Sequence, residues 1–403
     1  MSQILITAGR ILLGSGTHAE DGAVLIEGDT IVAAGARKEV LAKAEPGCQT
    51  LEYPAATVMP GLIDCHVHLA FDAGPDPVTT VTESDDAALL LGMAGRARQM
   101  LDAGITTTRD LGDRGALAAR LRDAIADGTL PGPRILAATA PLTARKGHCF
   151  FLGGEVEGET EIRAQVRRNA EKGADVIKVM ATGGGLTRGG PAIWQSQFTT
   201  EELAAAVDEA HRLGLPVAAH AHGVQGIADV IAAGVDTIEH CSWMTEDGSS
   251  DLREDLLAQI IAKEIPVCPA NHPNWRAFAD RVGPDKAAEL FAPMRRMAER
   301  GVRLVAGTDA GVPRAFFGGL ASSLEFFEYL QVPRERIIDM ATSDAAAALR
   351  LGSQVGCLAE GYRADIIVVD GDPLADLGAL RAVRLTIAAG RLHVPEQAVL
   401  RMA

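Results

Sequence analysis

The chain has 403 residues, which is long for a single domain and leaves room for a large hydrophobic core. Its formal net charge of −15 argues against a nucleic-acid partner and against binding to an anionic membrane. The six cysteines are scattered with no Cys-x-x-Cys pair, which argues against a disulfide scaffold and is typical of a reducing compartment.

The first residues of the chain give no targeting signal, because residues 1–6 lack a basic region followed by a long apolar one. No apolar run elsewhere in the sequence is long enough to span a bilayer. We therefore expect a cytoplasmic protein with neither a nucleic-acid nor a membrane partner.

Both ends of the chain are rich in predicted strands. The first 57 residues contain three strand-like runs, and the strand pattern returns after residue 352. The runs are residues 3–7, 23–27, 30–34, 361–370 and 383–388. We expect the two ends, residues 1–57 and 353–403, to pack together as one small β-sandwich domain.

The central part of the chain, residues 58–352, alternates apolar strands with helical stretches. Such alternation predicts parallel strands joined by crossover helices. Eight units over roughly three hundred residues favour a closed (β/α)8 TIM barrel over an open sheet. The predicted helices are residues 85–102, 117–127, 159–172, 200–213, 224–233, 252–263 and 287–299, and further helices follow the last strand up to about residue 351. The strands after the first are residues 104–110, 134–138, 175–180, 216–220, 235–240, 265–269 and 302–309.

The first strand of this region ends in two histidines, His66 and His68. Residues two apart in a strand point to the same face, so the two imidazoles project together and can hold one metal ion. The alternative is a pair of ordinary histidines near a strand end, and this short motif does not decide between them.

Later strands carry further metal-ligating side chains. His220, His240 and Asp309 stand at strand ends, where the active sites of such barrels lie. Each has a structural alternative, such as a hydrogen-bonded histidine or a capping aspartate. Lys178 lies inside an apolar run, where a buried ammonium is costly unless it is paired or neutralised. An ion pair with a buried carboxylate is the alternative for Lys178.

The sequence resembles the amidohydrolase superfamily over essentially the whole chain, and in particular its prolidase-like and imidazolonepropionase-like branch of dipeptidases. The first and last matching segments are typical of the superfamily, and the middle three together indicate the branch. The matching segments are residues 60–68, 178–184, 218–223, 234–240 and 307–311.

The resemblance implies two divalent metal ions, usually zinc. His66 and His68 would bind the buried ion, and His220 and His240 the outer one. Lys178, carboxylated by carbon dioxide, would bridge them. Asp309 would bind the buried ion and act as general base towards a metal-bridging hydroxide, then return the proton to the leaving nitrogen.

Four further residues are candidates for substrate contacts. His222 lies two positions past a ligand and is a catalytic or substrate-binding candidate, with a structural role as the alternative. His148 matches a loop histidine that often contacts the substrate carbonyl in this branch, and a surface loop histidine is its alternative. Arg188 and Arg314 are candidate clamps for a substrate carboxylate.

The predicted function is metal-dependent hydrolysis of a C–N bond in a small-molecule substrate such as a dipeptide or N-acyl amino acid. The alternatives are a carbamate, urea or cyclic amide hydrolase, a mononuclear deaminase, and a scaffold that has lost its site. Two features weigh against deamination. Lys178 is present, and His222 stands shortly after His220, where deaminases of this superfamily usually have a glutamate. The complete ligand set weighs against a scaffold. Barrels of this group often associate, so we expect a homo-oligomer.

Overall fold

The computed structural model describes residues 3–396. Residues 1–2 and 397–403, which belong to the predicted β-sandwich domain, lie outside the described part. The strands of the described part are β1 (Gln3–Gly14), β2 (Thr17–Glu27), β3 (Thr30–Ala36), β4 (Gln49–Pro60), β5 (Leu62–Val67), β6 (Ile105–Asp110), β7 (Arg134–Ala137), β8 (Ile177–Met180), β9 (Val217–Gly223), β10 (Thr237–Met244), β11 (Val267–Cys268), β12 (Ile366–Asp370), β13 (Val383–Ala388) and β14 (Arg391–His393).

The α-helices of the same part are α1 (Arg37–Leu41), α2 (Pro77–Glu83), α3 (Asp86–Asp102), α4 (Leu117–Ala126), α5 (Gly158–Glu171), α6 (Thr200–Arg212), α7 (Val224–Ala233), α8 (Glu254–Ala262), α9 (Trp275–Val282), α10 (Pro284–Glu299), α11 (Leu320–Tyr329), α12 (Arg334–Met340) and α13 (Ser343–Ala348). Two short 3-10 helices cover Phe150–Leu152 and Leu377–Arg381. None of these helices combines the length and apolarity needed to cross a membrane.

Strands from both ends of the chain form one seven-stranded sheet, in the order β14-β13-β12-β4-β1-β2-β3. The two ends meet where β12 pairs antiparallel with β4, and Val368 lies opposite Val58. Ile6, Val24 and Ile366 are fully or almost fully buried in the apolar cluster on this sheet. Strands from the two ends thus share one sheet, while the β-sandwich domain of residues 1–57 and 353–403 stays a prediction.

The central part of the chain has the α/β architecture that its alternating pattern predicts. Parallel strands β5, β6 and β7 form one sheet, and parallel strands β8, β9, β10 and β11 form another. The two sheets do not join into one closed sheet. Within residues 3–396, single bridges stand at their edges: Leu142–Val179 on one side, and Val267–Leu304 and Val67–Ala310, which join β11 and β5 to residues 304 and 310, on the other. The closed barrel therefore stays a prediction.

The prediction of a regular strand at residues 302–309 is wrong. Its backbone groups are divided between several partners, because Val305 N donates to Val267 O at 3.0 Å while Ala306 N donates to Met340 O at 2.8 Å. Cys65 N donates to Ala306 O at 2.9 Å on the other side. The segment therefore bridges neighbouring strands without forming a ladder of its own.

Two helices were missed by the sequence pattern, α2 and α9. The start of α2 carried a readable signal, because Asp76 caps it by accepting a hydrogen bond from Thr79 N at 3.3 Å and Pro77 occupies its first turn. By contrast, α6 follows its predicted bounds closely. Thr199 and Glu202 form a reciprocal capping box at its start, and Gly214 lies just past its end.

Candidate metal centre

His66, His68 and Asp309 come together at the carboxyl end of β5. Nε2 of His66 lies 3.5 Å from Oδ1 of Asp309, and Nε2 of His68 lies 3.4 Å from the same oxygen. The backbone fixes this arrangement, because Asp309 N donates to His66 O at 2.9 Å and His68 N donates to Ala310 O at 2.8 Å. The three side chains form one group that could hold a metal ion.

A buried ion pair orients the ring of His66. Nδ1 of His66 lies 2.9 Å from the carboxylate of Glu239, which in turn accepts from Arg109 Nη2 at 2.8 Å and from Thr237 Oγ1 at 2.7 Å. Burial disfavours the Glu239 anion, but the charge of Arg109 and the His66 hydrogen bond outweigh it and lower the pKa of Glu239 to about 2. A carboxylate accepts, so His66 carries its proton on Nδ1 and its lone pair on Nε2.

The ring of His68 is oriented in the same sense. Its Nδ1 lies 3.3 Å from the carbonyl oxygen of Gly112, which can only accept, so Nε2 again carries the lone pair. Two imidazole lone pairs and one carboxylate oxygen of Asp309 therefore face each other. Nε2 of His66 is buried and has no hydrogen-bond partner within residues 3–396. Three electron-pair donors that face one point, one of them an orphaned buried nitrogen, fit a bound cation.

The carboxylate of Asp309 is held as an anion. Burial raises its pKa, but the neighbouring imidazoles of His68 and His66 and the charge of Lys178 hold it well below the usual range. The neighbouring Thr308 is anchored to β5, since its amide and hydroxyl donate to the Asp64 carboxylate at 3.1 and 2.6 Å. Asp309 has a φ of +56°, a strained backbone conformation of the kind found at functional sites.

A second group consists of His220, His222 and His240, whose ligand atoms lie within 4.8 Å of one another. The ring centroids of His220 and His240 are 4.8 Å apart, and His222 stacks on His240 at 4.4 Å. Nε2 of His220 donates to the carbonyl oxygen of Gly183 at 2.9 Å, which leaves the lone pair on Nδ1. Burial lowers the pKa of all three histidines, so the rings are neutral.

His222 thus shares a group with the two histidines that the sequence predicts to bind the outer ion. The sequence predicts His222 as a catalytic or substrate-binding residue, and its Nδ1 lies 2.8 Å from Ser242 Oγ. The two groups adjoin each other, because the ring centroids of His66 and His240 are 5.0 Å apart.

Lys178, in β8, is 1% exposed. Burial lowers the pKa of its ammonium to about 8, although the charges of Glu239 and Asp309 act in the opposite direction. The charge of Lys178 in turn contributes to the lowered pKa of both His66 and His240. Its side chain therefore lies near both histidine groups.

A further set of donors, His66, Glu239 and Cys268, also lies within 4.8 Å. It is poorly suited to a metal ion, because His66 and Glu239 already bond to each other and burial holds the pKa of the Cys268 thiol well above its usual value. All six cysteines of the chain are free thiols. We therefore do not treat these three residues as a metal site. Within the set, Glu239 orients His66 through their hydrogen bond.

His148 is buried beside the second group, which excludes the alternative of a surface histidine. It is 5% exposed, and its ring centroid lies 4.9 Å from that of His220. Thr187 Oγ1 lies 3.2 Å from its Nδ1. The loop after β8 packs closely on the ring, because a Cβ atom on Gly184 would lie 2.4 Å from His148. Only glycine fits at this approach.

A cavity of about 580 Å³ opens beside His240 and Ser242. Arg314, one of the two predicted carboxylate clamps, lines it. Arg188, the other, is exposed and does not line this cavity. The aromatic pair Phe316 and Phe317, in the same loop as Arg314, does not line it either.

The sequence profile described as "Amidohydrolase family" matches residues 57–392. The chain belongs to the amidohydrolase family. This amidohydrolase is 29% identical over 416 residues to ochratoxinase of Aspergillus niger, an alignment that covers 93% of this chain and 82% of the relative. It is 24% identical to imidazolonepropionase of Mesorhizobium japonicum, with 89% and 88% of the two chains covered.

Among solved structures, this amidohydrolase is similar to a Xaa-Pro dipeptidase with methionine bound in its active site. The TM-score is 0.85, the identity is 29%, and the match covers 98% of this chain and 100% of that one. The predicted family is confirmed, and with it the prediction that the protein is an enzyme of the hydrolase class acting on C–N bonds.

Proposed function

We propose that this amidohydrolase cleaves the C–N bond of a small substrate, a dipeptide or an N-acyl amino acid, with the help of two divalent metal ions, zinc in the first instance. The observation that carries the proposal is the meeting of His66 and His68 with Asp309, directly beside His220 and His240. Relatives named for peptide and toxin hydrolysis support the same class of reaction.

In this proposal His66, His68 and Asp309 hold the inner ion, while His220 and His240 hold the outer one. Lys178, carboxylated at Nζ, would be a ligand of both ions. A carbamate is an anion, so its formation relieves the cost of a buried ammonium among neutral histidines. The bound ions would supply a water of lowered pKa and a polarised carbonyl group.

Asp309 is proposed to take a proton from the attacking water and to pass it to the leaving nitrogen. The new C–O bond replaces the C–N bond, and the products are a carboxylic acid and an amine. His148 and His222 are proposed to hydrogen-bond the substrate carbonyl oxygen as neutral imidazoles. Arg314 and Arg188 are proposed to contact the carboxylate of the substrate.

We also infer that the two parallel sheets belong to one (β/α)8 barrel of residues 58–352, with residues 1–57 and 353–403 forming the second domain. The single bridges Leu142–Val179, Val267–Leu304 and Val67–Ala310 support this reading, because each lies between edges that a closed barrel would join.

A hydrolysis panel tests the proposal. The zinc-loaded protein is assayed on dipeptides, N-acyl amino acids, a carbamate, a urea, a cyclic amide and an aminopurine, before and after chelation. We expect amide cleavage that chelation abolishes and zinc restores. Asp309→Asn should lower kcat by roughly 10²–10⁴-fold, while Asp255→Asn, a surface change on α8, should not. Cleavage of the carbamate, urea or cyclic amide alone, or release of ammonia from the aminopurine alone, would contradict the proposal.

A further inference from the structure

The cavity beside His240 has walls that are largely aromatic. Phe278 of α9 and Phe291 of α10 face it together with Phe326 of α11. Phe291 and Phe326 meet edge to face, with ring centroids 4.8 Å apart, and Phe278 lies 6.1 Å from Phe291. Leu290 and Met294 complete the apolar lining. Such a wall is complementary to a large aromatic or apolar group.

Two arginines line the same cavity without a carboxylate partner. Among residues 3–396, neither Arg281 nor Arg314 has an acidic group within ion-pair distance, whereas nearby Arg276 pairs with Glu325 at 2.9 Å. The guanidinium of Arg281 lies 5.4 Å from the ring centroid of Phe278. Two uncompensated cations at the edge of an aromatic cavity favour a ligand that is both anionic and aromatic.

The cavity also opens onto the metal centre. His240 and Ser242 form part of its wall, and Ser242 holds His222. Asn271 lines the wall too, and its buried Nδ2 has no hydrogen-bond partner within the described chain. An unpaired buried amide is costly, so it is a further sign of a polar ligand group. A molecule in this cavity would therefore reach the metal ligands.

We propose that this cavity is the subsite for a large aromatic amino-acid residue of the substrate, whose free carboxylate pairs with Arg281 and Arg314. The inference rests on the proposed C–N hydrolysis and narrows it. The substrate is an amide of an aromatic amino acid with a free carboxylate, and its hydrolysis releases that amino acid and a carboxylic acid. The volume of about 580 Å³ lies within the range of small-molecule pockets.

The test measures kcat/KM of the zinc-loaded protein on N-acetyl-L-amino acids that differ only in the side chain: phenylalanine, tryptophan, leucine, alanine and glycine. We expect the aromatic substrates to exceed the alanine substrate by roughly 10–100-fold. N-acetyl-2-phenylethylamine, which lacks the carboxylate, should fall at least about tenfold below N-acetylphenylalanine. Equal rates across the side chains would overturn the subsite while the proposed function stands.

Variants locate the subsite. Phe278→Ala should reduce the ratio between the phenylalanine and alanine substrates. Arg314→Leu and Arg281→Leu should raise KM for carboxylate substrates while leaving N-acetyl-2-phenylethylamine unaffected, and Arg314→Lys should recover part of the loss. Arg295→Leu, on α10 but outside the cavity lining, is the matched control. Loss of activity on all substrates alike in Arg314→Leu and Arg281→Leu would contradict carboxylate recognition.

A binding measurement separates the subsite from the reaction. Calorimetric titration with N-acetyl-D-phenylalanine, the mirror-image compound, and with N-acetyl-D-alanine uses the same protein and variants. Binding of the aromatic compound that depends on Phe278 and Arg314, in a protein that hydrolyses none of the panel, would support the subsite and overturn the proposed function. Absence of both binding and hydrolysis would overturn both.

Discussion

The carboxylate of Glu239 lies 2.9 Å from Nδ1 of His66, and both side chains are almost fully buried. This contact fixes which nitrogen of His66 is free to bind a cation. Arg109 holds the carboxylate from its other side at 2.8 Å. Glu239 therefore positions His66, a proposed ligand of the inner ion. Its neighbour in the chain, His240, is a proposed ligand of the outer ion.

Glu239→Gln tests this positioning role. The amide no longer favours a proton on Nδ1 of His66, so we expect metal affinity and kcat/KM to fall by roughly 10–100-fold. Metal content after dialysis against graded chelator gives the affinity independently of activity. Glu254→Gln, an exposed carboxylate on α8, is the control. Unchanged metal retention in Glu239→Gln would show that Glu239 does not act through His66.

Arg109→Met should destabilise the protein strongly. It leaves the Glu239 anion buried beside His66 without its countercharge, and removal of one partner of a buried pair costs about 3–5 kcal/mol. Arg253→Met breaks an exposed pair with Asp255 and should change the free energy of unfolding by no more than about 1 kcal/mol. Denaturant unfolding of the two variants checks the contrast, and a cost as small for Arg109→Met as for Arg253→Met would refute it.

Asp113 makes stability depend on pH. Burial, with the nearby charge of Asp110, raises its pKa to about 8. Between about pH 4 and pH 8 the folded state keeps a proton that the unfolded carboxyl has lost, so the free energy of unfolding falls as pH rises. The contribution is constant below and above this window.

Asp113→Asn should remove this decrease in the free energy of unfolding with rising pH. The substitution retains an oxygen that accepts a hydrogen bond from Ala118 N at the start of α4. Unfolding in urea at pH 5 to 8 should show a steeper decline in the wild type than in Asp113→Asn. Asp123→Asn, an exposed change on α4, should keep the wild-type slope. Parallel curves for the wild type and Asp113→Asn would mean that Asp113 is ionised throughout.

Gly184→Ala tests the placement of His148. The added Cβ would lie 2.4 Å from the ring, which must then move away from His220. We expect kcat/KM to fall by about one to two orders of magnitude, as small displacements of catalytic groups do. Gly185→Ala meets nothing within 4 Å and is the matched control. Equal kinetics for both variants would argue against a role for His148.

The sequence indicated the candidate metal ligands but not the side chains that orient them. His66 and His68 are two residues apart in a strand, so their common face follows from the strand period. Glu239 precedes His240 directly, and its partner Arg109 lies 130 residues away in the chain. No local pattern reports such a contact, although a charged residue inside an apolar strand was a usable signal.

The cavity was unpredictable for a related reason. Its walls come from α9, α10 and α11, and α9 was missed. Arg314 was a candidate clamp from its place in a loop, and Arg188 seemed equivalent. Only the packing of the helices separates them, because Arg314 lines the cavity and Arg188 does not.

The metal content per chain tests the central claim most directly. Elemental analysis compares the wild type with Lys178→Ala and with Lys172→Ala, an exposed lysine at the end of α5. We predict about two ions per chain in the wild type and in Lys172→Ala, and clearly fewer in Lys178→Ala. About one ion in the wild type, unchanged in Lys178→Ala, would contradict the bridged two-metal centre and leave Lys178 a structural residue.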